Sequence, residues 1–285
     1  MEFGDGSVKA SSELTDGGGG DAEVVLSVGG VLVRGADGDR SERAAVSAMV
    51  RTFDQDERTV WVMPRDERMM TWFQIVRIAN VQSVRWVLGA LNRRPTPVSV
   101  RRAQAWCARM EAAGLVERAQ LGGAGGSLVW ATYAGTGMGK PNLYRQTTRH
   151  EVAVSAASAR YAAAGYAWQR DEKPTLVGGH QADGIALAPQ WVELIEVELT
   201  GKRMPRYASI FAAYRRRLDY GDGNVITYLC NAESARTVRE ALLTLPAGRD
   251  IAPRIQVHEV YDRAGLWAGG TLPDWLQPAA DRARF

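Results

Sequence analysis

The segment from residue 181 to residue 200, QADGIALAPQWVELIEVELT, constrains the fold most strongly, because two β-prone runs flank a short turn. If Pro189 and Gln190 form that turn, the register of the hairpin is set and Asp183 lies opposite Glu196. Cross-strand partners have Cβ atoms about 5 Å apart, so both carboxylates are close enough to bind one divalent ion. The spacing therefore predicts a β-hairpin that carries a facing pair of acids.

Period-two alternation divides the side chains of this hairpin between two faces of the sheet. The first face combines apolar residues with two acids, and it holds Ile185, Leu187, Val192, Leu194, Glu196 and Glu198. The second face is apolar and holds Ile195, Val197 and Leu199. Because both faces carry apolar residues, the second strand is expected to be buried on both sides.

Crowded carboxylates in a low-dielectric cleft indicate a metal site, because like charges repel there unless a cation or protons compensate them. We expect Mg²⁺, or Mn²⁺ in its place, to be held by Asp183, Glu196 and Glu198. Lys202 lies just beyond the strand, where its ammonium could stabilise a phosphate under attack or help to deprotonate water. The alternative is a solvated strand end whose acids pair with Arg203 or Arg206.

The elements around the hairpin predict its domain. The expected order is a helix over 150–164, strands over 166–170, 181–188 and 191–200, a helix over 205–220, a strand over 225–230, a helix over 232–244 and a strand over 255–261. This order, αβββαβ followed by αβ, is typical of an α/β (α+β) fold with a mixed sheet and helices on both faces.

A different order of elements precedes this domain. The predicted elements are helices over 69–79, 83–91 and 99–114 and strands over 115–121 and 127–133, with the turn GGAGG between the strands. Ser99 is the expected N-cap of the third helix, and Gly114 ends it. Three helices followed by a hairpin are the order of a winged helix. Trp130 and Tyr133 on the hairpin are interpreted as packing residues.

Arginine is concentrated around the third helix. The chain has a net charge of +3, but residues 1–40 carry eight acidic and three basic side chains, so the remainder is more basic. The buried stripe of this helix is expected to be Ala103, Trp106, Cys107 and Met110. The arginines off this stripe, expected to contact double-stranded DNA, are Arg93, Arg94, Arg101, Arg102 and Arg109. The alternatives are a solvated face and a winged helix that binds protein.

Composition limits the partners and the location. The 285-residue chain contains only two cysteines, Cys107 and Cys230, no run of about 18 apolar residues and no export signal. We therefore expect a cytoplasmic protein with reduced thiols and no membrane partner, and we leave a homodimer open.

The αβββαβ order, with Asp183-Gly184 in one strand and Glu196-Val197-Glu198 in the next, resembles the PD-(D/E)XK nuclease-like superfamily, which has the restriction-endonuclease fold. The winged-helix order followed by RHEVAVS, GYAWQRDE, ADGIAL and IEVELTGK, and then by an arginine-rich helix, resembles the replication-relaxation family of actinobacterial plasmids and mobile elements. The resemblance covers about residues 68–262.

This resemblance implies roles for individual residues. Asp183 takes the place of the first metal ligand and Glu196 that of the second, whereas Glu198 stands where the superfamily most often has its lysine. Lys202 could substitute for that lysine from further along the chain. Glu151 matches an accessory acid of some members. The catalytic set is then Asp183, Glu196, Glu198, Lys202 and Glu151, with His150 as a candidate helper and Gln181 in the lining of the cleft.

The resulting organisation has three parts. Residues 1–40 are expected to form a flexible acidic, glycine-rich tail with a short strand pair within 24–33. Residues 41–140 are expected to form a winged-helix DNA-binding domain, helical from about Ser41, and residues 141–285 a PD-(D/E)XK nuclease-like domain.

The helix over 205–220 has a stripe expected to pack inward, consisting of Tyr207, Ile210, Phe211, Tyr214 and Leu218. Its flanking arginines either face solvent or follow a phosphate backbone, and these are Arg203, Arg206, Arg215, Arg216 and Arg217.

Three functions remain as hypotheses. The first is a DNA-binding protein whose metal-dependent nuclease-like domain cleaves or nicks phosphodiesters in plasmid or mobile-element replication or transfer. The second is a catalytically inactive nuclease-like accessory factor or transcriptional regulator that binds DNA. The third is an adaptor that binds only protein.

Overall fold

The computed structural model describes residues 62–282 except 121–125, 146 and 176–177, together with the backbone of the strands that precede them. These strands are β1 (Glu23–Val28), β2 (Val31–Ala36), β3 (Ala48–Arg51) and β4 (Thr59–Val62), and they form an antiparallel sheet in the order β1-β2-β3-β4. The β1–β2 pair confirms the strand pair expected within 24–33. The flexible tail predicted before it lies outside the described residues.

The helical pattern expected from Ser41 is wrong at residues 48–51. This stretch is a strand paired with β2 on one side and β4 on the other. Pairing with two neighbours outweighs the modest helix propensity of so short a stretch. The sheet also crosses the boundary expected at residue 41.

Three helices follow: α1 (Pro64–Val76), α2 (Val81–Leu91) and α3 (Val100–Ala112). Helix α1 begins before its predicted start, because a proline suits the first helical position and the Asp66 side chain accepts the Met63 N–H at 2.9 Å. The Ser99 side chain caps α3 as predicted. The predicted stripe of α3 is confirmed, since all its members are buried: Ala103, Trp106, Cys107 and Met110.

A three-stranded sheet in the order β5-β7-β6 covers these helices, formed by β5 (Ala79–Asn80), β6 (Val116–Gln120) and β7 (Ser127–Ala131). The predicted glycine-rich turn falls mostly on 121–125, outside the described residues. Trp130 is buried, as expected of a packing residue. The packing role expected for Tyr133 is wrong: it starts the short helix α4 (Tyr133–Thr136) beyond the sheet and is 74% exposed.

The second half of the chain keeps the predicted order of helices and strands. Its elements are α5 (Thr148–Ala163), β8 (Ala167–Gln169), β9 (Gly184–Ala188), β10 (Trp191–Glu198), α6 (Met204–Asp219), β11 (Val225–Asn231), α7 (Ala232–Thr244), α8 (Pro246–Ile251), a 3₁₀ turn (Ala252–Arg254), β12 (Ile255–Tyr261) and α9 (Ala279–Arg282). Three of these elements were not predicted: α8, the 3₁₀ turn and α9. The sheet order is β12-β11-β10-β9-β8. Strands β8, β9 and β10 are antiparallel, whereas β10, β11 and β12 are parallel, so the sheet is mixed as predicted.

The register of the β9–β10 hairpin is confirmed. Trp191 pairs with Ala188 across a turn in which Gln190 has a positive φ of 58°. The ladder ends at the pair Gly184–Ile195. Asp183, the residue that precedes Gly184, donates its N–H to the Ile195 carbonyl at 2.9 Å. The facing pair expected between Asp183 and Glu196 is therefore not part of the paired ladder.

The two predicted faces of the hairpin are also confirmed. Ile195 and Val197 lie in a core with α5, whereas Leu194 and Ile185 lie in a core with α6 and α7. The inward stripe of α6 is buried as expected, and consists of Tyr207, Ile210, Phe211, Tyr214 and Leu218.

Helix α5 contributes to two cores. Its small residues Ala159 and Ala163 pack into the cluster formed by α1, α2 and α3, whereas Ala153, Ala157 and Tyr161 pack against the mixed sheet. Within the described part of the chain, no helix combines the length and the apolar character that crossing a bilayer requires.

Candidate functional site

Asp183 precedes β9 and contacts both β10 and the first turn of α5. Its Oδ2 accepts the Val197 N–H at 2.8 Å and lies 3.2 Å from Nε2 of His150. That nitrogen is also 3.0 Å from the Val197 carbonyl, so it carries a proton that it can donate. Burial lowers the pKa of His150, but the hydrogen bond and charge of Asp183 outweigh burial and raise this pKa to about 9. At neutral pH the two residues therefore form an ion pair.

A small cavity of about 120 Å³ opens beside this ion pair. Its lining includes Glu151 and Gln181, the predicted accessory acid and cleft residue, together with Arg170, which the sequence analysis did not single out. The structure thus brings Asp183, His150, Glu151 and Gln181 to one place.

Glu196 is buried on strand β10 and has different partners. Its Oε1 lies 2.9 Å from Nε2 of His180 and accepts a hydrogen bond from the hydroxyl of Tyr214 on α6. Burial and the charge of Glu196 raise the pKa of Tyr214 well above its usual value, so the hydroxyl keeps its proton and donates. Tyr214 was predicted only as a core residue, and His180 was missed because it lies in a stretch without periodicity.

Glu198 is the acid that Lys202 reaches. The Lys202 ammonium donates to Oε2 of Glu198, which is buried at the end of β10. Burial raises the pKa of Glu198, Lys202 opposes that rise, and the charges of Glu196 and Asp183 add to it. The three predicted carboxylates are therefore close enough to act on one another electrostatically.

The three acids have different protein partners. Asp183 contacts α5, which packs on the Ile195 face of the sheet, whereas Glu196 contacts α6, which packs on the Leu194 face. Among the described residues, no three His, Cys, Asp or Glu side chains are grouped so as to hold a metal ion. A protein donor already occupies one oxygen of each carboxylate, so a shared Mg²⁺ or Mn²⁺ would have to compete with these donors or bind the other oxygens.

A fourth buried acid, Glu193, was missed. Its Oε1 accepts hydrogen bonds from the hydroxyls of Tyr161 at 2.5 Å and Thr227 at 2.6 Å. The signal that could have found it is its position two residues before Ile195, which makes it the one acid on an otherwise apolar face. It links α5 to β10 and β11.

The arginines of α6 bind other parts of this domain. Arg217 forms an ion pair with the buried Asp171, with Nη1 and Oδ2 2.5 Å apart, and Arg215 pairs with Asp250 at 2.9 Å. Arg216 donates to the Gly178 carbonyl. The remaining two arginines lie at the start of α6 and are exposed, namely Arg203 and Arg206. Three of the five arginines predicted to flank α6 therefore make contacts within the protein.

Around α3, four of the five predicted arginines are exposed: Arg93, Arg94, Arg101 and Arg102. Arg94 and Arg102 line a cavity of about 450 Å³ beside the turn between α2 and α3. The fifth, Arg109, donates through Nη2 to the buried carboxylate of Asp66 at 2.8 and 2.9 Å.

No protein-family model, curated protein or solved structure matches the chain. Its function is therefore inferred from the contacts of its own residues.

Proposed function

We propose that this protein binds double-stranded DNA through the exposed side of α3, and that its C-terminal half is a nuclease-like module that acts as a non-catalytic accessory part. The observation that carries the proposal is the group of exposed arginines at one end of α3. Guanidinium groups bind phosphate oxygens in bidentate fashion and supply most of the affinity for a duplex.

The packing of α3 supports this role. One side of the helix is buried in the core of the first half, whereas the opposite side carries Arg101, Arg102 and Gln104 beside the small exposed residues Ala105 and Ala108. Small residues let a helix approach base edges closely, while the arginines contact the backbone. Three helices and a hairpin, with β5 as a third strand, support the interpretation of this half as a winged helix.

The acidic cluster supports an accessory role for the second half. Its helix and strand order supports the nuclease-like interpretation, and a replication-relaxation protein would combine the same two halves. Asp183, Glu196 and Glu198, however, are each held by a separate donor. A carboxylate engaged in this way would have to exchange a protein donor for a cation before it could take part in cleavage.

Fluorescence anisotropy with a short labelled duplex tests the proposal. The double variant Arg101→Gln/Arg102→Gln should weaken binding, and the slope of log affinity against log salt should fall by about 2, since each lost phosphate contact removes about 1. Arg236→Gln, which removes an exposed arginine from α7, is the matched control and should bind as the natural protein does. Equal affinity and slope in the double variant would refute the proposal.

Metal-dependent nicking of DNA is the second candidate function. The observation that favours it is the contact of Lys202 with Glu198, whose pKa is raised by burial and also by the neighbouring charges of Glu196 and Asp183. Supercoiled plasmid incubated with Mg²⁺ should then be nicked by the natural protein and not by Asp183→Ala. Saturable Mn²⁺ binding that is lost in Glu196→Gln and kept in Glu240→Gln, an exposed control, would support this candidate over the accessory role.

A further inference from the structure

A cavity of about 420 Å³ lies between α2, α5 and the segment that follows β12. None of the three acids Asp183, Glu196 and Glu198 lines it, and it shares Pro97 with the cavity beside Arg94 and Arg102. Its lining includes two arginines, Arg85 and Arg160, and two tryptophans, Trp86 and Trp267. Among the described residues, no Asp or Glu lines it, so the charge of the arginines is not balanced locally.

Arg160 is the central residue of this cavity. Its side chain is buried, with 3% of the residue exposed, and its guanidinium lies 5.1 Å from the ring centre of Trp86 and 5.0 Å from that of Trp267. One nitrogen donates to the Ala156 carbonyl at 3.2 Å, whereas Nε is buried without a hydrogen-bond partner. No carboxylate within the described residues forms an ion pair with it.

A buried guanidinium that has only aromatic and carbonyl partners is incompletely compensated. Burial lowers the pKa of Arg160 to about 10, and the nearby positive charge of Arg85 contributes to that fall. Two arginines that line one cavity without an acid form a site of positive potential. An anion entering the cavity would relieve their mutual repulsion.

The remaining groups support a built site. Trp267 is held in place by an edge contact with Tyr261, with ring centres 5.5 Å apart. Asn80 accepts two hydrogen bonds from Ser83 through Oδ1, so its amide nitrogen is the atom left to donate toward the cavity. The lining therefore offers cations and a neutral donor between fixed aromatic rings.

We propose that this cavity binds a small phosphate-bearing molecule, whose phosphate group is held by Arg85 and Arg160. A phosphate dianion matches two guanidinium groups in charge. Nε of Arg85 donates to the Val98 carbonyl at 2.8 Å and its Nη1 to Oε1 of Gln82 at 2.6 Å, so Nη2 and the second hydrogen of Nη1 are left to contact the phosphate. The ligand must be small, because the tryptophan rings cover Arg160 and a duplex is too wide to enter between them. None of the arginines proposed to contact DNA lines this cavity.

Isothermal titration calorimetry of the full chain with inorganic phosphate, at constant ionic strength, tests the proposal. Binding of phosphate should be saturable, and its affinity should fall at least about tenfold in Arg85→Gln and in Arg160→Lys, because each change removes one guanidinium group from the site. Arg236→Gln should bind phosphate as the natural protein does. Absent saturable binding, or unchanged binding in Arg85→Gln, would overturn the proposal.

Two further measurements keep the result decisive. Circular dichroism shows whether each variant folds, and if Arg160→Lys does not, the comparison of Arg85→Gln with Arg236→Gln decides alone. Duplex binding by Arg85→Gln separates the two sources of phosphate. Loss of phosphate binding with unchanged DNA affinity supports a small ligand, whereas parallel loss of both would mean that Arg85 contacts the DNA backbone and would refute the small-molecule site.

Discussion

Asp66 holds Arg109 through both of its carboxylate oxygens, with Nη2 at 2.8 Å from Oδ1 and 2.9 Å from Oδ2. The same buried carboxylate accepts the indole N–H of Trp106 at 2.7 Å and the N–H of Met63. One acid thus joins the start of α1 to the buried side and the last turn of α3. Because Arg109 binds Asp66, the proposed DNA contacts are assigned to the four exposed arginines, Arg93, Arg94, Arg101 and Arg102.

Replacing Asp66 by alanine should destabilise the protein by about 3 kcal/mol, because it leaves a buried indole N–H unsatisfied and removes the partner of Arg109. Urea unfolding measures the loss. Glu67→Ala, a change at the exposed neighbouring acid, is the control and should shift the free energy of unfolding by no more than about 0.5 kcal/mol. Similar losses in the two variants would show that the carboxylate network contributes little.

The ion pair of His150 and Asp183 predicts a pH dependence of stability. The pKa of His150 is raised to about 9 in the folded protein, above the value of about 6.5 expected in the unfolded chain. The contribution of this residue is therefore complete below pH of about 6.5 and is lost as the pH rises through 9. Urea midpoints measured across this range should fall less in His150→Gln than in the natural protein.

His258 supplies the control for that experiment. It stacks on Trp275, and burial, with the charge of Arg239, lowers its pKa to about 4. It is neutral throughout the alkaline range, so the urea midpoint of His258→Gln should fall with pH as steeply as that of the natural protein. If the urea midpoint of His150→Gln also fell as steeply as that of the natural protein, the ion pair of His150 with Asp183 would be contradicted.

Gly184 should not tolerate alanine. A Cβ at this position would lie 2.0 Å from Cζ2 of Trp168, a buried and rigid ring. Overpacking of this kind costs about 2 kcal/mol, measurable as a lower urea midpoint. Gly139→Ala is the matched control, because nothing lies within 4 Å of its added Cβ. A stable Gly184→Ala variant would mean that β8 shifts freely relative to β9.

Tyr214→Phe tests the donor that engages Glu196. The variant keeps the ring in the core and removes one hydrogen bond to a buried carboxylate, so it should lower the free energy of unfolding by about 2 kcal/mol. Tyr220→Phe is the control, since Tyr220 follows the same helix and is 83% exposed. Equal stability of the two variants would argue against a structural role for the Tyr214 hydroxyl.

Much of the fold was predictable from local patterns. The turn at Pro189 and Gln190 specified the hairpin register, and period-two alternation assigned both faces of β10 correctly. Helical spacing likewise identified the buried stripes of α3 and α6. These features depend on residues that are close in sequence, and the period of apolar residues there indicates which side chains are buried.

The partners of the acids were less predictable, because they depend on contacts between distant segments. His180 lies in an aperiodic stretch, and Arg217 reaches Asp171 across 46 positions. Arg109 resembled a surface arginine because its partner, Asp66, precedes it by 43 positions. Charge and spacing place such residues on a helix face but do not specify which opposite charge approaches them in the folded chain.

The alanine-rich helix α5 belongs to both cores, with Ala159 and Ala163 turned toward one and Ala153 and Ala157 toward the other. Helix α5 therefore is part of the packing of both halves and does not merely link them. Exchange of either half for a homologous module would require the replacement to present a surface matched to the same small side chains. A chimera that exchanges one half is therefore expected to fold only if the new half packs against the same alanine side chains of α5.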